Sequence, residues 1–260
     1  MKSYKILFFA TNRHQETYFK KILEIIREGD EGILMHRRTL AWMAPVFTLR
    51  RAHLGLIKEV LTIRLSYFYN KTGRNRNMFW QIVMSVFYFL STTLFISKMR
   101  KILSTTKIDM VVLWNDMKWH QYVIKTLARN SSIKTIFFEN GALPNTVTLD
   151  SKGVNFNNSV PRNRDYYEEV EAIDLVSRKQ LPINGGYIFV PFQVDYDTQI
   201  ISHSPWIKNM EDFYYALERL LDSLPNTINI VIKEHPKSSR KYDYLHKKNS
   251  RITFNNTAKT

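Results

Sequence analysis

Short apolar runs that end in polar residues recur along the chain, and they predict the strands of a parallel sheet. The clearest run, Tyr187 to Pro191, follows an Asn-Gly-Gly turn signal and is rich in β-branched and aromatic side chains, as buried strands are. Six other segments share this form: Tyr4–Ala10, Gly32–Met35, Ile108–Trp114, Ile133–Phe138, Ile228–Ile232 and Arg251–Phe254.

Apolar residues at helical spacing fill the intervals between these strands and predict five helices: Gln15–Arg27, Trp119–Arg129, Asn163–Ser177, Asn209–Leu224 and Lys237–Lys248. Strands that alternate with helices are typical of α/β folds with parallel sheets. We therefore predict two Rossmann-like halves, residues 1–177 and 187–260, joined by a linker at 178–186. The second half has fewer strands than a doubly wound domain normally uses, so we expect it to be truncated.

The segment from about Trp42 to Leu103 is strongly aromatic and predicts a helical insertion in the first half. Within it, Asn77 to Ser97 contains no charged residue and is long enough to span a bilayer. Basic clusters flank both of its ends and give no orientation signal, and several Ser, Thr and Gln residues interrupt it. We expect a buried or interfacial helix, with a membrane span as the alternative.

Positive charge is concentrated in the first part of the chain. The protein has 260 residues and a formal net charge of +15, and residues 1–104 carry 18 Lys or Arg against 6 Asp or Glu, a net +12. This asymmetry predicts an anionic partner surface, either phospholipid head groups or nucleic acid, although a basic protein kept soluble by its charge is the alternative. The chain has no cysteine, which fits a reducing cytoplasm.

Two aspartates follow the strand Tyr187 to Pro191 and are the first candidates for chemistry. If the loop is extended, Asp195 and Asp197 point to one side, where one carboxylate could act as nucleophile and the other as base or orienting group. A turn in which both aspartates bind backbone N–H groups is the alternative.

Two further predicted strands end in groups that do chemistry. Glu139 is a candidate general acid or base, or else a loop cap, and His235 is either catalytic or structural. Lys233 could bind a phosphate, or be a solvated surface lysine. Because parallel strands deliver their carboxyl ends to one edge, we predict that Glu139, Asp197 and His235 converge in a cleft between the two halves.

Several common catalytic signatures are absent from the sequence. It has no glycine-rich phosphate loop of standard spacing, no His-Glu-x-x-His and no Gly-x-Ser-x-Gly. Its seven histidines are scattered and no close carboxylate triplet occurs, so we predict neither a metal site nor a cofactor.

Three ordered motifs resemble the bacterial capsule polysaccharide biosynthesis family. Glu139 to Thr146, followed by Asp150 to Asn155, resembles the loop of that family. Pro191 to Ile200 is similar to its Gln-Val-x-x-Asp signature, and Lys233 to Pro236 to its His-Pro signature. The family continues with a Ser-rich strand and helix that this sequence lacks, which again predicts an incomplete second half.

The resemblance implies a GT-B-like fold and a retaining β-Kdo glycosyltransferase. Such an enzyme takes Kdo, an eight-carbon acidic sugar, from CMP-Kdo and builds a linker on phosphatidylglycerol. It implies Asp197 as nucleophile, with Glu139 and His235 as the other catalytic groups. Asp195, the other aspartate of the same loop, is our runner-up nucleophile. The residues assigned to substrate binding are Gln193, Asp195, Lys233, Asn140, Gly141 and Asn155.

Partners and location follow from this resemblance. We expect a nucleotide-sugar donor, an anionic phospholipid or glycolipid acceptor, other capsule assembly proteins, and a peripheral site at the inner face of the inner membrane. The alternatives are a non-enzymatic capsule assembly or export component and an inactive fragment of the transferase. A nucleic-acid partner is not expected, because the basic residues form no known recognition motif.

Overall fold

The computed structural model describes residues 3–43, 50–72, 78–141, 143–163, 186–238 and 240–255. The chain forms two compact units, which are described separately. Unit 1 comprises Met1–Leu65 and Asn75–Val160, and unit 2 comprises Ser66–Arg74 and Pro161–Thr260.

Unit 1 is built on a mostly parallel five-stranded sheet. Its strands are β1 (Lys5–Ala10), β2 (Glu31–His36), β3 (Met110–Trp114), β4 (Lys134–Asn140) and β5 (Val147–Asp150). Their spatial order is β2-β1-β3-β4-β5. The first four are parallel, and β5 runs antiparallel to β4 at one edge of the sheet.

Both faces of this sheet are covered, which explains the continuous apolar runs of its strands. The accompanying helices are α1 (Arg13–Leu23), α2 (Arg37–Trp42), α3 (Leu54–Thr72), α4 (Met78–Thr105) and α5 (Trp119–Asn130), and α3 belongs to unit 1 up to Leu65 and to unit 2 from Ser66. Phe8, Val112 and Phe138 pack against Phe19 of α1 on one face. The alternating residues, such as Leu7, Phe9 and Val111, pack against α3, α4 and α5 on the other.

Unit 2 contains a parallel three-stranded sheet in its described residues. The strands β6 (Gly186–Pro191), β7 (Ile228–Lys233) and β8 (Ile252–Phe254) lie in the order β6-β7-β8. A π-helical turn (Gln199–His203) and helix α6 (Met210–Leu220) lie between β6 and β7 in sequence. Tyr214 and Leu217 of α6 pack with Ile230 and Ile232 of β7 in the core of this unit.

The predicted α/β class is confirmed: unit 1 has a mostly parallel sheet, and the described part of unit 2 has a parallel one. The helical aromatic insertion is confirmed as α3 and α4 in the described residues. The predicted helix 163–177 and linker 178–186 lie outside the described residues, except Asn163 and Gly186, which begins β6.

Three local predictions are wrong. The segment Glu139–Arg162 is not one long loop, because Glu139 and Asn140 extend β4 and residues Val147–Asp150 pair with it as β5. Residues 237–248 do not form the predicted basic helix: their described part has one short 3₁₀ turn, Asp243–Leu245. Helix α1 ends at Leu23, four residues before the predicted end.

Helix α4 changes character along its length. Among the described residues it is the one helix long and apolar enough to cross a membrane, with a mean hydropathy of 1.6 over its most apolar window. Its second half is buried in unit 1, where Phe95, Ile96 and Met99 join the core. Its first half is exposed: Phe79 is 66% and Phe87 57% accessible. The segment is therefore partly buried and partly open to a partner.

A buried ion pair fixes the loop that follows β5. Asp116, at the end of β3, is fully buried, and Lys125 Nζ of α5 lies 2.8 Å from its Oδ2. Asn157 donates a hydrogen bond to the same oxygen at 2.8 Å, and the backbone N–H of Val154 donates to Oδ1 at 3.3 Å. The pair therefore connects α5, β3 and the 151–157 loop.

We predict that Lys125→Met lowers the free energy of unfolding by about 3–5 kcal/mol, because it leaves a buried carboxylate without its counter-charge. Adding Asp116→Asn should recover much of this loss. Lys21→Met, on the exposed side of α1, is the control and should stay within about 0.5 kcal/mol of the parent. Urea denaturation measures all four proteins, and a Lys125→Met variant as stable as the control would contradict the prediction.

Candidate functional site

The loops that follow β6 and β7 leave the same edge of the unit 2 sheet. The two strands pair in register up to Pro191 and Lys233, and the backbone N–H of Phe192 continues the ladder by donating to the Lys233 carbonyl at 2.8 Å. Beyond the sheet, the Tyr196 hydroxyl donates to the Lys237 carbonyl at 3.1 Å. This places the Gln-Val-x-x-Asp and His-Pro segments side by side at one sheet edge.

Asp195 is held by structural contacts. Its Oδ1 accepts hydrogen bonds from the first backbone N–H of α6, that of Met210, at 2.8 Å, and from the Tyr242 hydroxyl at 3.1 Å. Arg240 NH1 lies 3.6 Å from Oδ2. Burial raises the pKa of Tyr242, and the neighbouring Asp195 charge raises it further. Asp195 therefore stabilises the start of α6 and the segment around Tyr242.

Asp197 lies in a turn of its own. Its backbone N–H donates to the Val194 carbonyl at 2.9 Å, so the loop is not extended and the two aspartates do not follow strand alternation. Its Oδ1 accepts from the backbone N–H of Gln199 at 2.8 Å, where the π-helical turn begins. Among the described residues Oδ2 has no hydrogen-bond partner. Both aspartates therefore accept hydrogen bonds from backbone N–H groups, which was the alternative predicted from the sequence. Oδ2 of Asp197 remains available to a ligand.

His235 is also oriented by its own backbone. Its Nδ1 accepts a hydrogen bond from the N–H of Lys237 at 3.0 Å. In the neutral ring the proton therefore sits on Nε2, which is left as a donor. Lys233 ends β7 and is half-buried, and Gln193, on the loop that follows β6, is exposed.

In unit 1, Glu139 lies at the carboxyl end of β4 and is bound to the end of β3. The Asn115 side chain donates to Glu139 Oε2 at 2.8 Å, and the N–H of Asn140 donates to Oε1 at 3.0 Å. Asn115 has a left-handed backbone (φ 71°), and its side-chain oxygen accepts from the N–H groups of Met117 and Lys118 at the start of α5. Glu139 is thus half-buried and oriented by an amide.

The other predicted residues of unit 1 have different surroundings. Gly141 makes a tight turn in which an added Cβ would lie 2.9 Å from Cβ of Thr146 and 3.0 Å from its carbonyl carbon, so glycine is required there. Asn140 is exposed at the end of β4. Asn155 is exposed with a left-handed backbone (φ 51°), and its neighbour Asn157 is the residue that contacts Asp116.

A carboxylate that the sequence did not single out holds the end of this loop. Asp150 accepts hydrogen bonds from the backbone N–H groups of Lys152, Gly153 and Ser159 and from the Ser159 hydroxyl. Burial would raise the pKa of Asp150, but the hydrogen bonds from Ser159, Lys152 and Gly153 outweigh it and lower the pKa to about 2. The loop is therefore built around an ionised aspartate at neutral pH.

The three predicted catalytic residues do not all lie in the same unit. Asp197 and His235 lie on adjacent loops of unit 2, and Glu139 lies in unit 1. The convergence of all three in one cleft stays a prediction. In the part of the chain that the structure describes, no three His, Asp or Glu side chains cluster so as to hold a metal ion.

Sequence reasoning missed the residues that position the site. Asn115, Arg240 and Tyr242 contact candidate residues through hydrogen bonds or an ion pair, and Tyr196 binds the Lys237 carbonyl just after the His-Pro segment. Only Asn115 had a recognisable signal, because it directly follows a predicted strand. The other three act on residues that lie far away in sequence or on backbone atoms.

Comparisons with known proteins find similarity in the part of the chain that carries the unit 2 motifs. Residues 162–255 match the family described as "Capsule polysaccharide biosynthesis protein". The chain is 33% identical over 159 residues to Protein FixF of Sinorhizobium fredii (strain NBRC 101917 / NGR234), covering 56% of this chain and 39% of that protein. The chain therefore spans about two fifths of the length of this curated relative.

Two solved structures share low similarity with the chain. A structure titled "S. aureus MnaA-UDP co-structure" is 13% identical with a TM-score of 0.31, covering 96% of this chain and 68% of that one. A UDP-N-acetylglucosamine 2-epimerase is 12% identical with a TM-score of 0.30, covering 98% and 68%.

The match over residues 162–255 contains both the Gln-Val-x-x-Asp segment and the His-Pro segment. Residues 162–255 are thus similar to the capsule polysaccharide biosynthesis family that the motifs of the chain predicted.

Proposed function

We propose that the protein is a capsule glycosyltransferase that moves β-Kdo from CMP-Kdo to a lipid-linked phosphatidylglycerol acceptor with retention of configuration. The observation that carries this proposal is the shared sheet edge in unit 2, where an open carboxylate oxygen of Asp197 and an N–H donor of His235 occur on adjacent loops. Loops at the carboxyl ends of parallel strands are the usual ligand sites of open α/β sheets.

Asp197 is the residue best suited to act as the nucleophile. A retaining transfer by double displacement needs a carboxylate that attacks the anomeric carbon as the phosphate of CMP leaves. Asp195 is occupied by Met210, Tyr242 and Arg240, whereas Asp197 is fixed through Oδ1 alone. Its Oδ2 can then form the glycosyl ester, which the acceptor hydroxyl breaks in the second step.

His235 is better suited to donate a hydrogen bond than to act as a base. Because Nδ1 already accepts from Lys237, the remaining Nε2 carries the hydrogen, and a phosphate oxygen of the leaving CMP is a fitting acceptor. The acceptor-side base would then be Glu139, whose carboxylate is oriented by Asn115. Lys233, at the end of β7, would supply positive charge to the same phosphate.

A peripheral position at the inner face of the inner membrane fits these assignments. The net +12 on residues 1–104 attracts anionic head groups, and the exposed first half of α4 offers apolar surface to the same boundary. An acceptor carried by a membrane lipid would be reached there.

We predict that substitution of Asp197 abolishes transfer, whereas substitution of Asp195 lowers thermal stability. Asp197→Asn should fold as the parent does and lose transfer from CMP-Kdo by at least about 10³-fold, since the amide cannot form the glycosyl ester. Asp197→Glu should do little better. Asp195→Asn should instead lower the melting temperature, because Arg240 loses one of its two carboxylate partners and keeps only Glu211.

Thermal unfolding and a transfer assay on the same preparations separate the two roles. Near-normal transfer by Asp197→Asn would show that another group is the nucleophile. If neither the parent protein nor any folded variant bound CMP, the proposal that the protein is a CMP-Kdo transferase would be contradicted.

We also predict that the effect of a His235 substitution on CMP affinity depends on where the new side chain places its N–H group. Glutamine can place an N–H near the position of Nε2, whereas asparagine reaches only the position of Nδ1. His235→Gln should therefore keep much of the affinity for CMP, and His235→Asn should lose it about as fully as His235→Ala does. Isothermal titration with CMP measures the three variants. If asparagine rescued binding and glutamine did not, the donor would have to be Nδ1.

A further inference from the structure

A cavity of about 500 Å³ lies in unit 1, near the amino ends of the sheet strands. Two of its lining residues, Ile108 and Ile133, come just before β3 and β4, whereas Glu139 lies at the carboxyl end of β4. The rest of the lining comes from the 3₁₀ turn Arg51–His53, from the start of α3 and from the last turns of α4 and α5. The volume is in the range of small-molecule sites.

The floor of this cavity is apolar and is part of the core of unit 1. Leu56, Leu103, Ile108 and Leu127 line it, and all four are buried. Ile133 packs against the same core cluster and completes the floor. A ligand seated on these side chains would therefore have an apolar body.

The rim of the cavity has one positive charge that nothing in the lining neutralises. Arg100 of α4 is partly buried, and among the described residues its guanidinium has no hydrogen-bond or ion-pair partner. None of the described residues that line the cavity is acidic. Burial, together with the charges of Arg100 and Arg50, lowers the pKa of His53, so this ring is neutral at pH 7. Arg100 is therefore the charged group of the rim.

Asn130 and Ser131 add polar groups to the rim at the end of α5. Both residues line the cavity and are exposed. In the part of the chain that the structure describes, the Asn130 amide and the Ser131 hydroxyl have no hydrogen-bond partner. Both can donate hydrogen bonds, and because they line the same cavity as Arg100, one ligand can reach all three. Hydrogen-bond donors beside an arginine without a counter-charge favour an anion.

We propose that this cavity binds an amphiphilic anion, a molecule in which a phosphate or carboxylate is attached to an apolar body. Arg100 pairs with the anionic group, Asn130 and Ser131 donate hydrogen bonds to it, and the apolar body lies on the buried floor. An inorganic anion would leave the floor unused, and a neutral apolar molecule would leave Arg100 unpaired. The site goes beyond the proposed function, since its lining includes none of the residues assigned to transfer.

The test is isothermal titration of the full chain with octyl phosphate, inorganic phosphate and octanol. The parent protein should bind octyl phosphate at least about tenfold more tightly than either of the others, because only octyl phosphate uses both the charge and the apolar floor. Arg100→Gln should weaken octyl phosphate binding at least about tenfold and change octanol binding at most about twofold. The matched control is Lys101→Gln, which removes an exposed charge from the next position of α4 and should cost at most about twofold.

A second variant tests the shape of the cavity. Ala52 is exposed on the rim, so Ala52→Trp can fill the mouth while Arg100 is kept, and it should also weaken octyl phosphate binding at least about tenfold. Melting curves establish that each variant folds, and if Arg100→Gln does not, Ala52→Trp is judged alone by this criterion. Unchanged affinity for octyl phosphate in the folded variant would overturn the proposal. So would equal affinity of the parent protein for octyl phosphate and inorganic phosphate, or for octyl phosphate and octanol.

Vesicles distinguish the two sources of such an anion, a membrane lipid and a soluble molecule. Phosphatidylglycerol vesicles that displace octyl phosphate better than phosphatidylcholine vesicles would identify the ligand as a lipid. Equal displacement by both would identify it as a soluble molecule, and either result supports the cavity as the site. The titrations contain no nucleotide sugar, so a failure of the proposed transferase activity would not affect them.

Discussion

The parallel pairing of β6 with β7 is the interaction on which the candidate site depends. It brings Pro191 opposite Lys233. Two sequence motifs that lie about 40 residues apart therefore start from the same edge of the sheet, as the loops of neighbouring strand–helix–strand units do. The hydrogen bond from Tyr196 to Lys237 then keeps the two loops together beyond the sheet. If this pairing were lost, Asp197 and His235 would have no reason to be neighbours.

At that edge, different hydrogen bonds give the two neighbouring aspartates different roles. Asp195 is saturated by a helix N–H, a tyrosine hydroxyl and an arginine, and it therefore contributes to the fold. Asp197 uses one oxygen for its own turn and keeps the other, and His235 uses Nδ1 and keeps Nε2. Each candidate reactive atom is thus oriented by a backbone N–H bonded to the other atom of the same side chain. Such orientation limits the motion that a catalytic group must lose.

The buried strands were predictable because they are covered on both faces and read as apolar runs, as β1, β3 and β7 show. The edge strand β5 was missed since its Val-Thr-Leu-Asp sequence is half exposed and resembles a loop. The basic segment after Pro236 has helical spacing, but its contacts, such as Tyr242 with Asp195, favour turns. The different roles of Asp195 and Asp197 could not be read locally, because they depend on Arg240 and Tyr242, which come after β7.

In the proposed reaction, Asp197 forms a covalent bond to the transferred sugar. Mass spectrometry of the protein incubated with CMP-Kdo in the absence of acceptor, quenched in acid and digested, tests this most directly. The peptide that contains Asp197 should gain the mass of one Kdo residue, and Asp197→Asn should show no such gain. Transfer to acceptor without any adduct, or an adduct on a different residue, would contradict the assignment.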